Sequence, residues 1–467
     1  MMHLNAAHAA DRYQRGMTPT LLRHATAPAP RYTSYPTAPR FQAGFDPESY
    51  AAALAATPME ARLSLYLHVP FCRKLCWFCG CHTGVANSDG PLIAYAETLE
   101  AEIDLVARTL GGRRPVIHLH WGGGTPTILP PEVFGRLMAR LRSAFDIQDD
   151  AEIAIEIDPR TLTDAMIAQL AAAGVNRASL GAQDFNPKVQ DAMNRIQPVD
   201  DVRRSVEALR AAGISGVNFD IMYGLPRQSV EDATRTAEIA AAMRPDRIAA
   251  FGYAHVPWFS ERQTLIGEDE LPGTEERLAH FAAIGAALEA AGYRRIGLDH
   301  FARPEDSMAR AAETGRLRRN FQGYTADAAD ALIGLGASSI GETNDLYIQN
   351  EKSVAEYARR VREGALAVEK GLRLTLDDRL RRAAIERLMC DMTVDLAAVC
   401  ASMGAAKGAL DDALPRFALL AVDGLVRMRG RRITCPPNMR PFLRRAAMAL
   451  DAYAAAAEDP MRGSRAV

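Results

Sequence analysis

From residue 62 onward, short runs of β-branched and aromatic residues alternate with longer segments rich in Ala, Leu and Arg. The runs at 63–69, 116–121, 152–157, 177–180, 216–221 and 248–253 read as strands, with a further one at 294–298. Amphipathic segments near 92–109, 131–144, 163–173, 188–192, 201–212 and 230–243 fall between them and read as helices. Strands alternating with helices predict βαβ units and a parallel sheet. No glycine-rich dinucleotide fingerprint follows the first strand. The glycines at 122–124 are contiguous and run into Thr125 and Pro126, not into a helix. The expected fold is therefore α/β, a partial (β/α)6 TIM-like barrel, with its chemistry at the C-terminal strand ends.

The flanks differ from this middle. Residues 1–60 are polar, then proline-rich (Pro28, Pro30, Pro36, Pro39), and read as an extended N-terminal arm with a short helix near 47–56. Residues 61–300 make the barrel, and 301–354 a barrel extension and linker. The tail, 355–467, reads as a small, mostly helical C-terminal domain with helices at 380–393, 393–401, 410–421 and 442–456. A hairpin at 424–428 and 431–434, turned at Arg429 and Gly430, gives this tail a winged-helix look. A wing can contact DNA, but it can equally pack or act as a lid. Charge decides between them: 55 Lys and Arg against 57 Asp and Glu leave −2, which argues against a nucleic-acid or membrane-surface partner. The longest uncharged apolar stretches, such as 396–406, fall short of the roughly 18 residues of a spanning helix. The first residues lack the apolar core of a secretion signal. The expectation is a soluble, cytoplasmic protein without a membrane span.

Seven cysteines do not make a disulfide scaffold in 467 residues, but four of them lie within ten positions. Cys72, Cys76 and Cys79 are spaced C-x3-C-x2-C directly after the first strand, and Cys81 follows Gly80. Thiolates are soft ligands for iron–sulfur clusters or zinc. Three of them leave one iron of a four-iron cube open. Zinc held by Cys72, Cys76, Cys79 and Cys81 or His82 is a second reading, although zinc ligands usually come as separated pairs. A thiol redox pair and inert buried thiols are the remaining ones.

The other strand ends carry polar residues too. Trp121 to Thr127 follows the second strand, and its glycines let backbone approach a ligand, with N–H groups able to hold a carboxylate. Glu156 and Asp158 end the third strand, Gln183 and Asp184 the fourth, Asp220 the fifth, and Tyr253 to Pro257 the sixth. Each alone could be a helix cap. All of them on one rim suit a binding site.

Cys72, Cys76, Phe78 and Cys79 resemble the motif of the radical S-adenosylmethionine superfamily. That resemblance implies a [4Fe–4S] cluster on Cys72, Cys76 and Cys79, whose open iron chelates S-adenosylmethionine. One electron then cleaves the cofactor to methionine and a 5′-deoxyadenosyl radical. Further stretches narrow the family: Cys79 to His82, Gly181 to Asn186, Tyr253 to Pro257, Arg319 to Tyr324 and Ser338 to Gly341. With Tyr32 to Thr37, they resemble the oxygen-independent coproporphyrinogen III oxidases over nearly the whole chain. The resemblance implies oxidative decarboxylation of two propionates of coproporphyrinogen III to vinyls, giving protoporphyrinogen IX. It implies two S-adenosylmethionine molecules. Tyr66, Gly123, Glu156 and Ile340 would contact the cluster-bound one. Phe78, Gly124, Thr125, Gln183, Arg195, Asp220 and Ala254 would line the second site. Each of these positions matches the family residue type. Cys81 resembles a thiol required for activity and is the catalytic candidate. A reduced donor such as flavodoxin or ferredoxin would supply electrons to a monomeric enzyme. The arm around Tyr32 to Pro36 could close over the porphyrinogen, and Arg31, Arg40, Arg195 and Arg319 could pair with its carboxylates. The alternatives are a haem chaperone or another radical S-adenosylmethionine tetrapyrrole protein, such as a methyltransferase or haem-opening enzyme. A zinc-stabilised interaction module is the reading from a different class.

Overall fold

The computed structural model describes residues 17–343, 345–455 and 466. The opening part of the arm and the last residue of the helix expected over 442–456 lie outside the described residues. The six expected strands are present: β1 (Leu63–Val69), β2 (Pro115–Gly123), β3 (Asp146–Ile157), β4 (Arg177–Gln183), β5 (Gly216–Tyr223) and β6 (Arg247–Gly252). Each pairs in parallel with the next. The intervening helices include α1 (Gly90–Leu110), α2 (Pro131–Ala144), α3 (Asp164–Ala172), α4 (Val199–Ala211) and α5 (Val230–Ala242). Their starts and stops follow local chemistry. Thr163 caps α3, Ser229 and Asp232 form a capping box on α5, and Gly111 at φ +73° ends α1. A sixth helix, α6 (Thr274–Ala290), packs beside α5.

The sheet runs further than six strands. Beyond β6 come two short antiparallel strands, β7 (Arg294–Ile296) and β8 (His300–Ala302), with β8 between β6 and β7. Beyond β1 lies a seventh parallel strand, β9 (Ala331–Leu335). It is followed by antiparallel β10 (Ile340–Glu342), β11 (Leu346–Asn350) and β12 (Val368–Arg373). Gln42–Ala43 pairs with β12 and ends the sheet. The sequence places 355 onward in the helical tail, yet residues to Arg373 complete this sheet. β9 to β12 are only three to six residues long, too short for periodicity alone to orient them.

Alternation along the strands separates two environments. Val217, Phe219 and Ile221 of β5 turn to the helical layer and are fully buried, while Asn218 and Asp220 turn to the concave side. On β4, Ala178, Leu180 and Ala182 alternate in the same way with Ser179, Gly181 and Gln183. The concave side is polar where many barrels are filled with branched side chains. Near the N-terminal strand ends, Glu152 pairs with Arg177 at 2.8 Å and Arg247 at 3.2 Å, and Arg247 reaches Asp306 at 2.8 Å. Burial opposes ionisation of Glu152, but Arg247, His118 and Arg177 hold its carboxyl well below the usual range.

The tail begins with a helix at Leu376–Asp391, capped by Thr375 and Asp378. The stretch after it opens as a strand, Thr393–Asp395, where a helix was expected from 393. That strand joins Arg432–Thr434 and Arg427–Arg429 in a three-stranded wing. The turn falls at Gly430 and Arg431, one residue later than expected, with Gly430 at φ +60°. Leu388, Phe417 and Phe442 centre a second core that also takes Leu21, Ala25, Tyr32 and Tyr35 from the arm. Among the described residues, no helix is long and apolar enough to cross a membrane.

Candidate active site

The C-terminal ends of the parallel strands open into a cavity of about 940 Å3. The loop leaving β1 forms one wall. Its start, Phe71–Cys72, pairs with Gly84–Val85 and rests on the turn after β2. Gly124 N donates to Val69 O and Thr125 N to Phe71 O, both at 2.8 Å. A Cβ on Gly124 would lie 2.4 Å from Phe71 O, and one on Gly123 2.7 Å from the His68 ring. These two glycines therefore permit the loop to seat. Gly123 N donates to Glu156 Oε2 at 3.0 Å. Three amides of the turn expected to face a ligand carboxylate have protein acceptors in this structure. Those of Gly123, Gly124 and Thr125 are already engaged within the protein.

The far side of the loop is tied down from elements distant in sequence. Trp77 N donates to Met193 O at 3.1 Å, and Asn194 Nδ2 to Leu75 O at 3.1 Å. Gln263 Nε2 donates to Phe78 O at 2.8 Å, and Ser260 Oγ to Cys79 O at 2.9 Å. These ties from 256–266 escaped sequence reasoning, because nothing local links residues about 180 positions apart. Asp158 and Arg160 lie just past the end of β3. They form a tight pair, Arg160 Nη2 to Asp158 Oδ2 at 2.6 Å, and Arg195 Nη2 approaches Asp158 Oδ1 at 3.5 Å.

All three spaced thiols and Cys81 line the cavity. Cys76 Sγ accepts from Arg195 Nη1 at 3.4 Å and Arg160 Nη2 at 3.5 Å. Cys72 Sγ accepts from Thr125 Oγ1 at 3.4 Å, and Cys79 Sγ from Cys81 N at 3.4 Å. Each sulfur thus meets a hydrogen-bond donor. Among the described residues, no three histidine, cysteine or acidic side chains converge on the position of one ion. On donor chemistry and spacing, the residues present fit an iron–sulfur cluster. The four thiols are not equivalent. The neighbouring Cys81, helped by Arg262 and Arg195, pushes Cys79 down to about 6, while Cys81 is raised. Burial raises Cys72.

Phe78, Gly123, Gly124, Thr125, Glu156 and Gln183 all reach this cavity, as do Arg195, Asp220 and Ala254. Gln183 does so at φ +60°, a left-handed conformation that turns the chain at the end of β4. Asp220 is pushed up to about 7, first by burial and then by nearby Glu156, with Ser179 and Arg195 acting the other way. Two assigned residues are not among the lining ones. Tyr66 lies under the rim, its hydroxyl 3.0 Å from His68 Nδ1 and its ring stacked on His120. Ile340 starts β10 and packs toward Phe41 and Tyr347. Of the four arginines considered for substrate carboxylates, Arg31, Arg40 and Arg195 line the cavity. Arg319 instead holds the arm, donating to Tyr32 O at 3.0 Å and Arg31 O at 3.1 Å.

The description of the radical SAM superfamily matches residues 66–240, the span from β1 into α5. The oxygen-independent coproporphyrinogen III oxidase of Bradyrhizobium diazoefficiens is 50% identical over 424 residues, covering 91% of this chain and 94% of its own. The enzyme of the same name from Paracoccus denitrificans is 42% identical over 432 residues, covering 92% and 95%. The solved coproporphyrinogen III oxidase of Escherichia coli, described as a radical SAM enzyme, superposes with a TM-score of 0.86 at 39% identity. It covers 91% of this chain and 97% of that one.

Proposed function

From its membership of the oxygen-independent coproporphyrinogen III oxidases, a radical S-adenosylmethionine family to which this chain belongs, we infer how its residues serve the reaction. The activity is oxidative decarboxylation of coproporphyrinogen III propionates. When bound, a [4Fe–4S] cluster and S-adenosylmethionine would supply radical chemistry, the abstraction of hydrogen from the propionate side chain. Cys72, Cys76 and Cys79 hold the cluster. Glu156, fixed by Gly123 N, orients one S-adenosylmethionine, with Tyr66 bracing that wall from below. Gln183, Arg195 and Asp220 line a position for a second molecule, beside Phe78, Gly124, Thr125 and Ala254. Ile340 enters this reading from the family pattern alone. The parallel strands form a partial (β/α)6 barrel whose rim carries these groups, and the chain acts as a monomer taking electrons from a reduced flavodoxin or ferredoxin.

One observation carries the reading: three spaced thiols and the acidic and amide groups of β3 to β5 line one cavity. At about 940 Å3 the cavity lies at the upper end of the roughly 300–1,000 Å3 of small-molecule sites. Phe251, Trp258 and Phe259 give it an apolar face for a macrocycle. Asp158, bound by Arg160 and Arg195, keeps both guanidinium groups aimed at Cys76. Anaerobic reconstitution with iron and sulfide, followed by coproporphyrinogen III, S-adenosylmethionine and a reductant, tests the whole. Protoporphyrinogen IX and 5′-deoxyadenosine should form together. Zinc without sulfide in anaerobically purified protein, and no product, would remove the proposal.

A further inference from the structure

Just past β3, Arg160 is folded back onto Asp158. Its backbone N donates to Asp158 Oδ1 at 3.1 Å, and its side chain returns to the same carboxylate through Nε at 3.0 Å and Nη2 at 2.6 Å. Arg160 Nη2 also donates to Cys76 Sγ at 3.5 Å. Arg195 Nη1 donates to that sulfur at 3.4 Å, while its Nη2 donates to Gly181 O at 2.6 Å and lies 3.5 Å from Asp158 Oδ1. The side chains of Arg160, Arg195 and Asp158 are only 14%, 8% and 9% exposed, so salt and water screen them little. Two cations sharing one carboxylate thus stand at one sulfur. The other two spaced thiols are served differently. Cys72 Sγ accepts from the neutral Thr125 hydroxyl, and Cys79 Sγ from the Cys81 backbone N–H. Cys76 is also the buried one of the three.

These charges persist. Burial works against ionisation of Asp158, but Arg195 and Arg160 hold its carboxyl below the ordinary range. Burial likewise opposes the charge on Arg160, and Asp158 and Cys76 raise it. A cluster on the three thiolates would take one electron from an external donor. Negative charge is then added, and no bond is made or broken. Hydrogen bonds and charge at the ligand sulfurs set the potential of that step. A cation already fixed at a sulfur stabilises the reduced form more than the oxidised one. Resting on the function inferred above, we propose that Arg160 raises the reduction potential of the cluster through Cys76, and so brings it within reach of a one-electron donor of the flavodoxin or ferredoxin class. Arg160 is a positioning residue in this role: it acts through the Cys76 sulfur, and Asp158 holds it in place. Its Nε and Nη2 are spent on those two partners.

A redox titration of the reconstituted full-length protein, followed by electron paramagnetic resonance without S-adenosylmethionine, tests this. At the wild-type midpoint, Arg160→Met should lower the ratio of reduced to oxidised cluster about tenfold, the scale of one charged hydrogen bond and about 59 mV for one electron. Arg160→Lys keeps the cation and should fall between wild type and Arg160→Met. A wild-type midpoint in Arg160→Met at full iron content would overturn the tuning role. Weaker S-adenosylmethionine binding in that variant, at unchanged potential, would make Arg160 a ligand contact and overturn it too. Where Arg160→Met takes up no iron, Arg160→Gln carries the same expectation. Iron lost from all three variants would show a brace for the loop and no tuning. Turnover gives a second readout. Arg160→Met should lose more activity with reduced flavodoxin than with titanium(III) citrate, a stronger reductant, whereas equal loss with both would overturn the proposal. The wild-type protein separates this from the broader reading. If wild type takes up no four-iron cluster, the function itself fails. If wild type takes it up and turns over coproporphyrinogen III, while Arg160→Met matches its potential, only the tuning fails.

Discussion

Cys81 differs from its three neighbours: its backbone N–H donates to Cys79 Sγ at 3.4 Å, and its own thiol is raised where Cys79 is lowered. It is also exposed to the cavity. A thiol in that place can serve substrate without holding iron. We expect Cys81→Ser to lose at least about a hundredfold in turnover, the scale of a lost acid–base or hydrogen-transfer group, while iron and sulfide content stays at the wild-type level. Loss of iron in that variant would make Cys81 a ligand and contradict the role. This distinction was partly legible in the sequence. The C-x3-C-x2-C spacing separated three cysteines from the fourth, but which sulfur receives which donor depends on Thr125, Arg160 and Arg195. Those residues reach the cluster loop only through the parallel sheet. The same holds for Asp158 and Arg160, which as a dipeptide neighbourhood look like a turn and in space hold Cys76.

At the scale of elements, the turn after β2 and the loop after β1 are one unit. Gly124→Ala puts a methyl 2.4 Å from Phe71 O, and that neighbour is backbone that cannot swing away. The loop must lift, so we expect iron content to fall and activity to drop more than tenfold, measured after identical reconstitution. A second joint lies between α1 and the β9–β10 turn. Glu102, fully surrounded, accepts from Gly336 N, Asn350 Nδ2 and the Tyr357 hydroxyl at 2.6–2.7 Å. Glu102→Ala strands all three donors and should cost about 2–4 kcal/mol in urea unfolding. Burial pushes this carboxyl up to about 7 from an ordinary value of 4.5, against its three donors. The folded chain therefore keeps a proton that the unfolded chain releases. Its contribution makes stability fall as pH rises from about 4.5 to about 7 and level off above. Stability curves of wild type and Glu102→Gln across pH 4–8 check this: the variant should lack that part of the decline. The sequence announced α1 and the six parallel strands because their periodicity is long and regular. It was silent on β9 to β12, where strands of three to six residues are too short to carry a period and β9 pairs with β1, far off in the chain.

At the scale of the whole molecule, the arm is what joins the cavity to the tail. Tyr32 donates to Asp451 at 2.9 Å, and both side chains are buried. Tyr35 receives Ala452 N at 3.1 Å, and Arg444 donates to Ala29 O at 3.0 Å. Tyr32→Phe leaves a buried carboxylate short of a donor and should lower stability by about 1–3 kcal/mol. Because the arm also lines the cavity, KM for coproporphyrinogen III should rise more than kcat falls. A change in kcat alone would detach the arm from substrate binding. The proline-rich composition foretold an extended segment, and the family resemblance suggested closure. Which surface it closes against was invisible, since the arm's partners come from the other end of the chain.

That arrangement also sets a timetable. The arm leaves the ribosome first, yet the apolar partners of Leu21, Ala25, Tyr32 and Tyr35 come mainly from residues 380–450. Synthesis at about 5–20 residues per second puts roughly 20–70 seconds between the two. During that interval the strands of the rim and the cysteine loop are already made, while the mouth has no cover. A chain stopped at 375 should accordingly be cut by protease within 17–40, where the full chain resists. The arm side of the cavity is thus the last part to be fixed, because its packing partners are among the last residues made.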